Sequence, residues 1–380
     1  MRAAIANGAL SAALINLCLI GLPFAAAPIA REIAAGAFVS YIATPAALTA
    51  TRAALEREAA HLLAPGMERR RAWEELIARE LREGDPRAAR GFALMAPALL
   101  GPADGARLDA ALHADADDAA RAAAAARLLS NETRQPFADA TRHMASTTRD
   151  DLAVRLALDT ERAFAEHARA WRTGRDSDDL AFVLAGIVTV LGEHAPPRVA
   201  LGASVLIDAR RAGRLRPSLA AHVSRAAVTA APVETLRRAI DGALGDPEAL
   251  TRGGRLTAQA FRASLDPVAY GAFAQELAVI GDIARATSPR GAVRLLAHAR
   301  DGRDLPRLRL IAQAGGDRAT AFAKRWDGAP PLAELARGTT IWTRTHVHAV
   351  GVLIALVLGL LIAGAASLTH ALRSMTKAAG

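Results

Sequence analysis

Apolar positions recur every three to four residues through most of this chain, and turn residues interrupt them at short intervals. From about Met67 to Glu83, Trp73, Leu76, Ile77 and Leu81 share one helical face. Glu75 with Arg79, and Arg79 with Glu83, stand four apart as surface pairs on the other side. A longer helix is predicted from after Thr147 through Arg172, with Phe164, His167, Ala168 and Trp171 on one face. The uncharged run Leu180 to Gly192 is too short to span a bilayer and reads as the most buried helix of the body. Thr287 to Trp326 reads as three short helices.

The punctuation supports this pattern. Asp85-Pro86, Ser288-Pro289 and Asp304, with Pro306 shortly after, resemble N-caps followed by an early helical proline. Gly84, Gly213 and Gly315-Gly316 sit where helices should stop. Two turns look alike. Ala209 to Pro217 (ARRAGRLRP) and Ala299 to Pro306 (ARDGRDLP) each follow a Leu-rich helix and open another. The fold class read from this is all-α, a multi-helix body of short helices. Stacked, α-solenoid-like helical hairpins are the arrangement the repeated punctuation suggests. Asn131 to Thr148 is the most polar joint and a place to subdivide the body, and Pro196-Pro197 is a second sharp break.

Both ends of the chain depart from the amphipathic pattern. Residues 349–369 (AVGVLIALVLGLLIAGAASLT) carry no charge, and at about 1.5 Å per residue such a helix crosses the roughly 30 Å hydrocarbon core of a bilayer. Trp342 lies just before it, where an interfacial anchor belongs, and Arg344, Arg373 and Lys377 flank it. Residues 346–369 are therefore expected to form a transmembrane helix, followed by a short basic tail at 370–380. Gly351, Ala355, Gly359 and Ala363 make a small-residue stripe through which a homodimer could form. At the other end, Arg2 precedes an uncharged segment reaching Ala30, most apolar from Leu10 to Phe24. Residues 1–30 read as a secretory signal peptide or an N-terminal transmembrane anchor. Either places the body, 31–340, outside the cytoplasm and the C-terminal tail inside.

Composition narrows the class. Apolar residues make up 52% of the 380 residues but aromatics only 4%, and alanine fills the gap, which favours helices over strands. The net charge of +9 does not point to nucleic acid. Arginines alternate with acids, as in Glu68-Arg69-Arg70-Arg71-Ala72-Trp73-Glu74-Glu75, which is an ion-paired helix face. Only Lys324 and Lys377 are lysines, a bias expected of a GC-rich bacterial genome. Cys18 is the one cysteine, so no internal disulfide forms, and Leu17 before it does not suit lipidation.

No phosphate-binding glycine loop, Gly-x-Ser-x-Gly elbow or His-Glu-x-x-His occurs. Acid clusters at His113, Asp115, Asp117 and Asp118, and at Asp176, Asp178 and Asp179, have hard-metal ligand chemistry, but each precedes a helix and reads as capping. His346 and His348 are two apart and do not share a helix face, so they chelate poorly. Ser374 and Lys377 match a Ser-x-x-Lys spacing in a tail too short to build a pocket. His167, beside Phe164 and Trp171, reads as packing. No catalytic, cofactor or metal residue is assigned, and no cofactor is expected. The reading is a membrane-anchored, non-enzymatic scaffold or protein-interaction module of the bacterial inner membrane, its helical body in the periplasm. The alternatives are an envelope or cell-wall enzyme working through paired acids, and a cytoplasmic-facing membrane regulator.

Overall fold

The computed structural model describes residues 39–63, 68–110, 116–156, 160–175, 177–191, 196–246, 249–327, 330–340 and 344–378. The N-terminal segment 1–30, Cys18, His113, Asp115, Asp176 and Trp342 lie outside these. The chain divides into two units: Tyr41–Arg337, and a second made of Met1–Ser40 with Gly338–Gly380.

The larger unit holds seventeen α-helices among the described residues. They are α1 (Pro45–Ala59), α2 (Arg69–Arg82), α3 (Pro86–Leu94), α4 (Ala96–Leu100), α5 (Pro102–Ala110), α6 (Asp118–Ala126), α7 (Asn131–Leu156), α8 (Thr160–Arg172) and α9 (Asp179–Thr189). The second half adds α10 (Pro197–Arg211), α11 (Pro217–Ala230), α12 (Val233–Gly245), α13 (Ala249–Ala263), α14 (Pro267–Ala286), α15 (Pro289–Leu296), α16 (Asp304–Gly315) and α17 (Asp317–Arg325). The smaller unit contains a two-residue antiparallel bridge, β1 (Val39–Ser40) with β2 (Thr339–Thr340), and α18 (Arg344–Ala378). The all-α expectation holds.

Proline starts these helices and glycine stops them. Pro45, Pro86, Pro197, Pro217, Pro267 and Pro289 each occupy the first helical turn, where the missing N–H has no intrahelical partner to lose. Gly84, Gly101, Gly174, Gly213 and Gly316 adopt positive φ after helix ends, and no other described residue type does. Asp85 and Ser288 cap α3 and α15 through the N–H groups of Ala88 and Gly291. Asp304 departs from the expected pattern. It is the first residue of α16, and its carboxylate accepts from the Arg300 N–H and guanidinium, closing the preceding turn.

Two sequence expectations fail in the body. The polar joint at 131–148 is helix: α7 runs through it, with Pro136 inside. Pro136 falls in the second turn, so it removes one backbone bond near the helix start, not one in its middle. The solenoid arrangement also fails. In a solenoid each hairpin meets only its neighbours. Here α3 packs along α17 and α1 along α16, so the two ends of the unit join. One hydrophobic cluster runs from Ala47 to Ala336. The surface pairs expected on α2 are also redrawn: Glu75 meets Arg82 at 3.0 Å, and Glu83 meets Lys324 of α17.

Close backbone approach holds this core together. A Cβ on Gly202 of α10 would lie 1.9 Å from the Leu277 carbonyl oxygen of α14. A Cβ on Gly281 of α14 would lie 1.9 Å from the Arg198 carbonyl oxygen of α10, so each helix presses its glycine on the other's backbone. Gly91 repeats the device between α3 and α17, where a Cβ would lie 2.2 Å from the Asp317 carbonyl oxygen. Gly186 makes room for the ring of Phe261. The few aromatics are concentrated where α8, α9 and α13 meet. Trp171 stacks on Phe182 with ring centroids 4.3 Å apart, and Phe164 lies 5.3 Å from both Phe182 and Phe261. The uncharged run at 180–192 gives α9, with Leu180, Phe182, Val183, Leu184 and Ile187 all buried.

Residues 346–369 fall within α18, a helix of 35 residues. Among the described residues no helix is long and apolar enough to cross a membrane.

Gly202→Ala should lower stability by about 3 kcal/mol, because the added methyl meets backbone that cannot step aside. Gly242→Ala, at a helical position with no neighbour within 4 Å, should raise it by about 1 kcal/mol. Thermal unfolding followed by circular dichroism measures both, and equal effects at the two positions would refute the close-crossing account.

Candidate functional site

The acid clusters picked out by spacing have structural work. Asp117 accepts from the Ala120 N–H at 2.7 Å and caps α6, and Asp178 accepts from the Ala181 N–H at 3.1 Å and caps α9. Asp118 pairs with Arg318 at 2.9 Å, and Asp179 takes the Trp171 indole N–H at 2.9 Å. Among the described residues no group of three or more His, Cys, Asp and Glu side chains could hold a metal ion. His167 is half-buried, its ring 5.6 Å from that of Phe182. His348 is exposed. The side chains of His346, Ser374 and Lys377 lie outside the described residues.

Sequence reasoning missed an ion-paired seam where α17 meets the N-terminal helices. Glu80 of α2 is fully buried and is held by Lys324 and by Arg325, the latter at 2.7 Å. Lys324 also reaches Glu83, which holds that carboxyl below its usual range. Asp85 pairs with Arg294 of α15. Asp317 pairs with Arg87 at 3.3 Å and Arg90 at 3.4 Å. Burial pushes the Asp317 carboxyl up, while the two guanidinium groups oppose the shift. Arg318, only 3% exposed, joins Asp118 to α17. Residues 200 or more apart in sequence thus neutralise one another, and no pattern of spacing could have revealed that.

The two look-alike turns also come together. Arg216 donates to the Ala297 carbonyl at 3.1 Å, and Ser218 donates to that of Arg300. Nearby, His222 Nε2 lies 3.1 Å from the Glu276 carboxylate, about one third exposed. This acid–imidazole pair links α11 to α14. His298, beside the same turns, places Nε2 2.7 Å from the Ala323 carbonyl, and burial lowers its pKa below the ordinary value while that hydrogen bond opposes the shift.

Hollows of about 500 to 580 Å³ also mark the body, among them one of about 520 Å³ between Leu62, Leu63 and the outer face of α2. A cleft of about 550 Å³ lies between α10 and α14, walled by Leu191, Val199, Ala274 and Val279, with Arg198, Asp282 and Arg309 at its edge. Burial raises the pKa of Tyr270 on its wall. A second, of about 500 Å³, carries Glu74, Glu75 and Glu132 between α2 and α7. Burial raises the Glu74 pKa, but hydrogen bonds from Ser130 and Thr133, with Arg70 nearby, outweigh this and leave it lowered. With Glu75 already bound to Arg82, this acid group resembles an anchor for the start of α7 more than an acid–base pair. The third hollow, about 580 Å³, is an alanine-floored groove bordered by five arginines between α3, α6 and α7.

Exposed apolar side chains are most numerous on α18 among the described residues. Among its described side chains, Val347, Val352, Ile354, Val357, Leu358, Leu361 and Ile362 are all between 41% and 70% exposed.

Comparison with protein-family models, with curated proteins and with solved structures finds no match to this chain.

Glu80→Gln should lower stability by about 3 kcal/mol, since Lys324 and Arg325 would then face each other without their shared anion. Urea unfolding monitored by tryptophan fluorescence tests this, and a loss under about 0.5 kcal/mol, the range of an exposed pair, would remove the seam's structural role. His298 gives a pH signature. Its folded pKa is lowered, so its contribution is present above the unfolded value of about 6.5 and is lost as pH falls through the folded value. The urea midpoint should therefore drop between pH 7.5 and pH 5. His298→Gln keeps a donor toward Ala323 and should shrink that drop; an unchanged pH profile would exclude His298 as its source.

Proposed function

We propose that this protein is a membrane-anchored helical interaction module. α18 is its anchor, and the body Tyr41–Arg337 is presented in the periplasm with the C-terminal tail in the cytoplasm. One observation carries the reading: the row of exposed Val, Ile and Leu side chains on α18. Each such side chain gains about 1.5–3 kcal/mol on full burial, so leaving seven of them largely in water would cost roughly 10 kcal/mol. A bilayer removes that cost. The uncharged stretch 349–369 has the length a span requires, and Arg344 on one side with Arg373 and Lys377 on the other would sit at the headgroups. Orientation rests on the export-like segment 1–30.

An interaction role is favoured over catalysis by how the polar groups of the body are used. The buried acids Glu80, Asp85, Asp304 and Asp317 are each committed to ion pairs. Glu74, in the most acidic hollow, has a lowered pKa, which suits an anchored carboxylate and not a proton donor near neutrality.

Cell membranes washed with alkaline carbonate should retain the full-length chain; its release into the wash would overturn the anchor. Alkaline phosphatase or green fluorescent protein placed after Arg337 reports the side of the body. Active phosphatase and a dark fluorescent fusion are expected, and the opposite pair of results would put the body in the cytoplasm.

A further inference from the structure

The groove between α3, α6 and α7 combines two chemistries that a single ligand class satisfies. Its floor is apolar. Ala122 and Ala126 of α6 and Phe137 and Met144 of α7 are buried along it, and Ala123 and Ala138 line its mouth. The lining positions 119, 122, 123 and 126 on α6 and 134, 137, 138, 141 and 142 on α7 follow helical spacing, so the apolar strip runs along both helices. Its border is cationic: Arg87 and Arg90 from α3, Arg127 after α6, and Arg134 and Arg142 from α7.

Three of these arginines pair with carboxylates. Arg87 and Arg90 share Asp317, and Arg142 pairs with Asp139 at 3.2 Å. Arg134 spends its guanidinium on the carbonyls at the end of α6, including that of Leu129 at 2.7 Å. Among the described residues, no acidic side chain pairs with Arg127 or Arg134. The border therefore has an excess of positive charge beside a greasy floor.

We propose that this groove binds a long-chain fatty acid, its chain along the alanine floor and its carboxylate at the arginine border. Size favours this over a protein segment. Stable protein interfaces use about 20–30 residues a side, whereas thirteen residues line this groove, and its roughly 580 Å³ falls in the range of small-ligand sites. Arginine forks bind carboxylates in two-pronged geometry, which supplies the polar half of the recognition. All the lining residues belong to the unit Tyr41–Arg337, so the inference is independent of whether α18 crosses a membrane.

The test is photolabelling of the full-length chain in a neutral, non-ionic detergent with a diazirine-bearing palmitate, followed by peptide mass spectrometry. Adducts are expected within residues 119–144. Excess palmitate should suppress them, and hexadecanol, which lacks the charge, should need about tenfold more. Arg127→Gln with Arg142→Gln, both at exposed side chains, should raise the palmitate needed by about tenfold. Ala123→Leu with Ala138→Leu should block labelling with the arginines intact, and circular dichroism checks that each variant remains helical. Adducts absent from 119–144 would overturn the proposal, as would adducts that hexadecanol displaces as well as palmitate does. Labelling indifferent to both pairs of substitutions would do the same. A cellular protein crosslinked at 119–144 without any fatty-acid adduct would reassign the groove to a peptide partner.

Discussion

The body depends on helices that touch backbone to backbone. With aromatics at 4% of the chain, large side chains cannot fill wide gaps between helices, so the helices must come close. Gly202 and Gly281 bring α10 and α14 together, and Gly91 does the same for α3 and α17. Alanine at the surrounding positions, such as Ala203, Ala278 and Ala321, keeps the approach short over several turns. The α10–α14 crossing lies in the middle of the body, and the α3–α17 crossing joins its two ends. A methyl group at either place would separate elements that the rest of the core is built around.

The second constraint is electrostatic and sits on top of the first. Closing α3 against α17 carries Glu80, Asp85 and Asp317 out of water. Each is met by a cation from across the junction or along it: Lys324 and Arg325, Arg294, and Arg87 with Arg90. A buried charge without its partner costs several kcal/mol, so such a seam specifies which helices meet more than it adds net stability. Lys324 serves three carboxylates from this one position, since Asp85 lies 4.0 Å from it beyond Glu80 and Glu83.

These constraints distinguish the ion-paired interior of the body from the exposed surfaces. The buried acids Glu80, Asp85 and Asp317 are ion-paired, and side chains cap α3, α6, α9 and α15. What remains uncompensated is the apolar row on α18 and the excess of arginine along the α6–α7 groove. The proposed roles rest on these two surfaces, the bilayer anchor on the first and the fatty-acid site on the second.

The sequence by itself determined the local structure. Helix starts at Pro86 and Pro289, helix stops at Gly84 and Gly213, the caps at Asp117 and Asp178, and the three short helices after Thr287 all follow from chemistry acting within four residues. It misjudged 131–148, because a polar composition with proline resembles a joint unless packing against α2 and α3 stabilises it as helix. The tertiary structure alone decided that the body closes and is no open stack, that Glu80 meets Lys324, and that five arginines border one groove. These features join residues tens to hundreds of positions apart, and helical periodicity carries information only about neighbours one or two turns away. Glycines 202 and 281 show the limit: in sequence they are ordinary interruptions of a helical pattern, and only the partner backbone 1.9 Å from where a methyl would stand makes them indispensable.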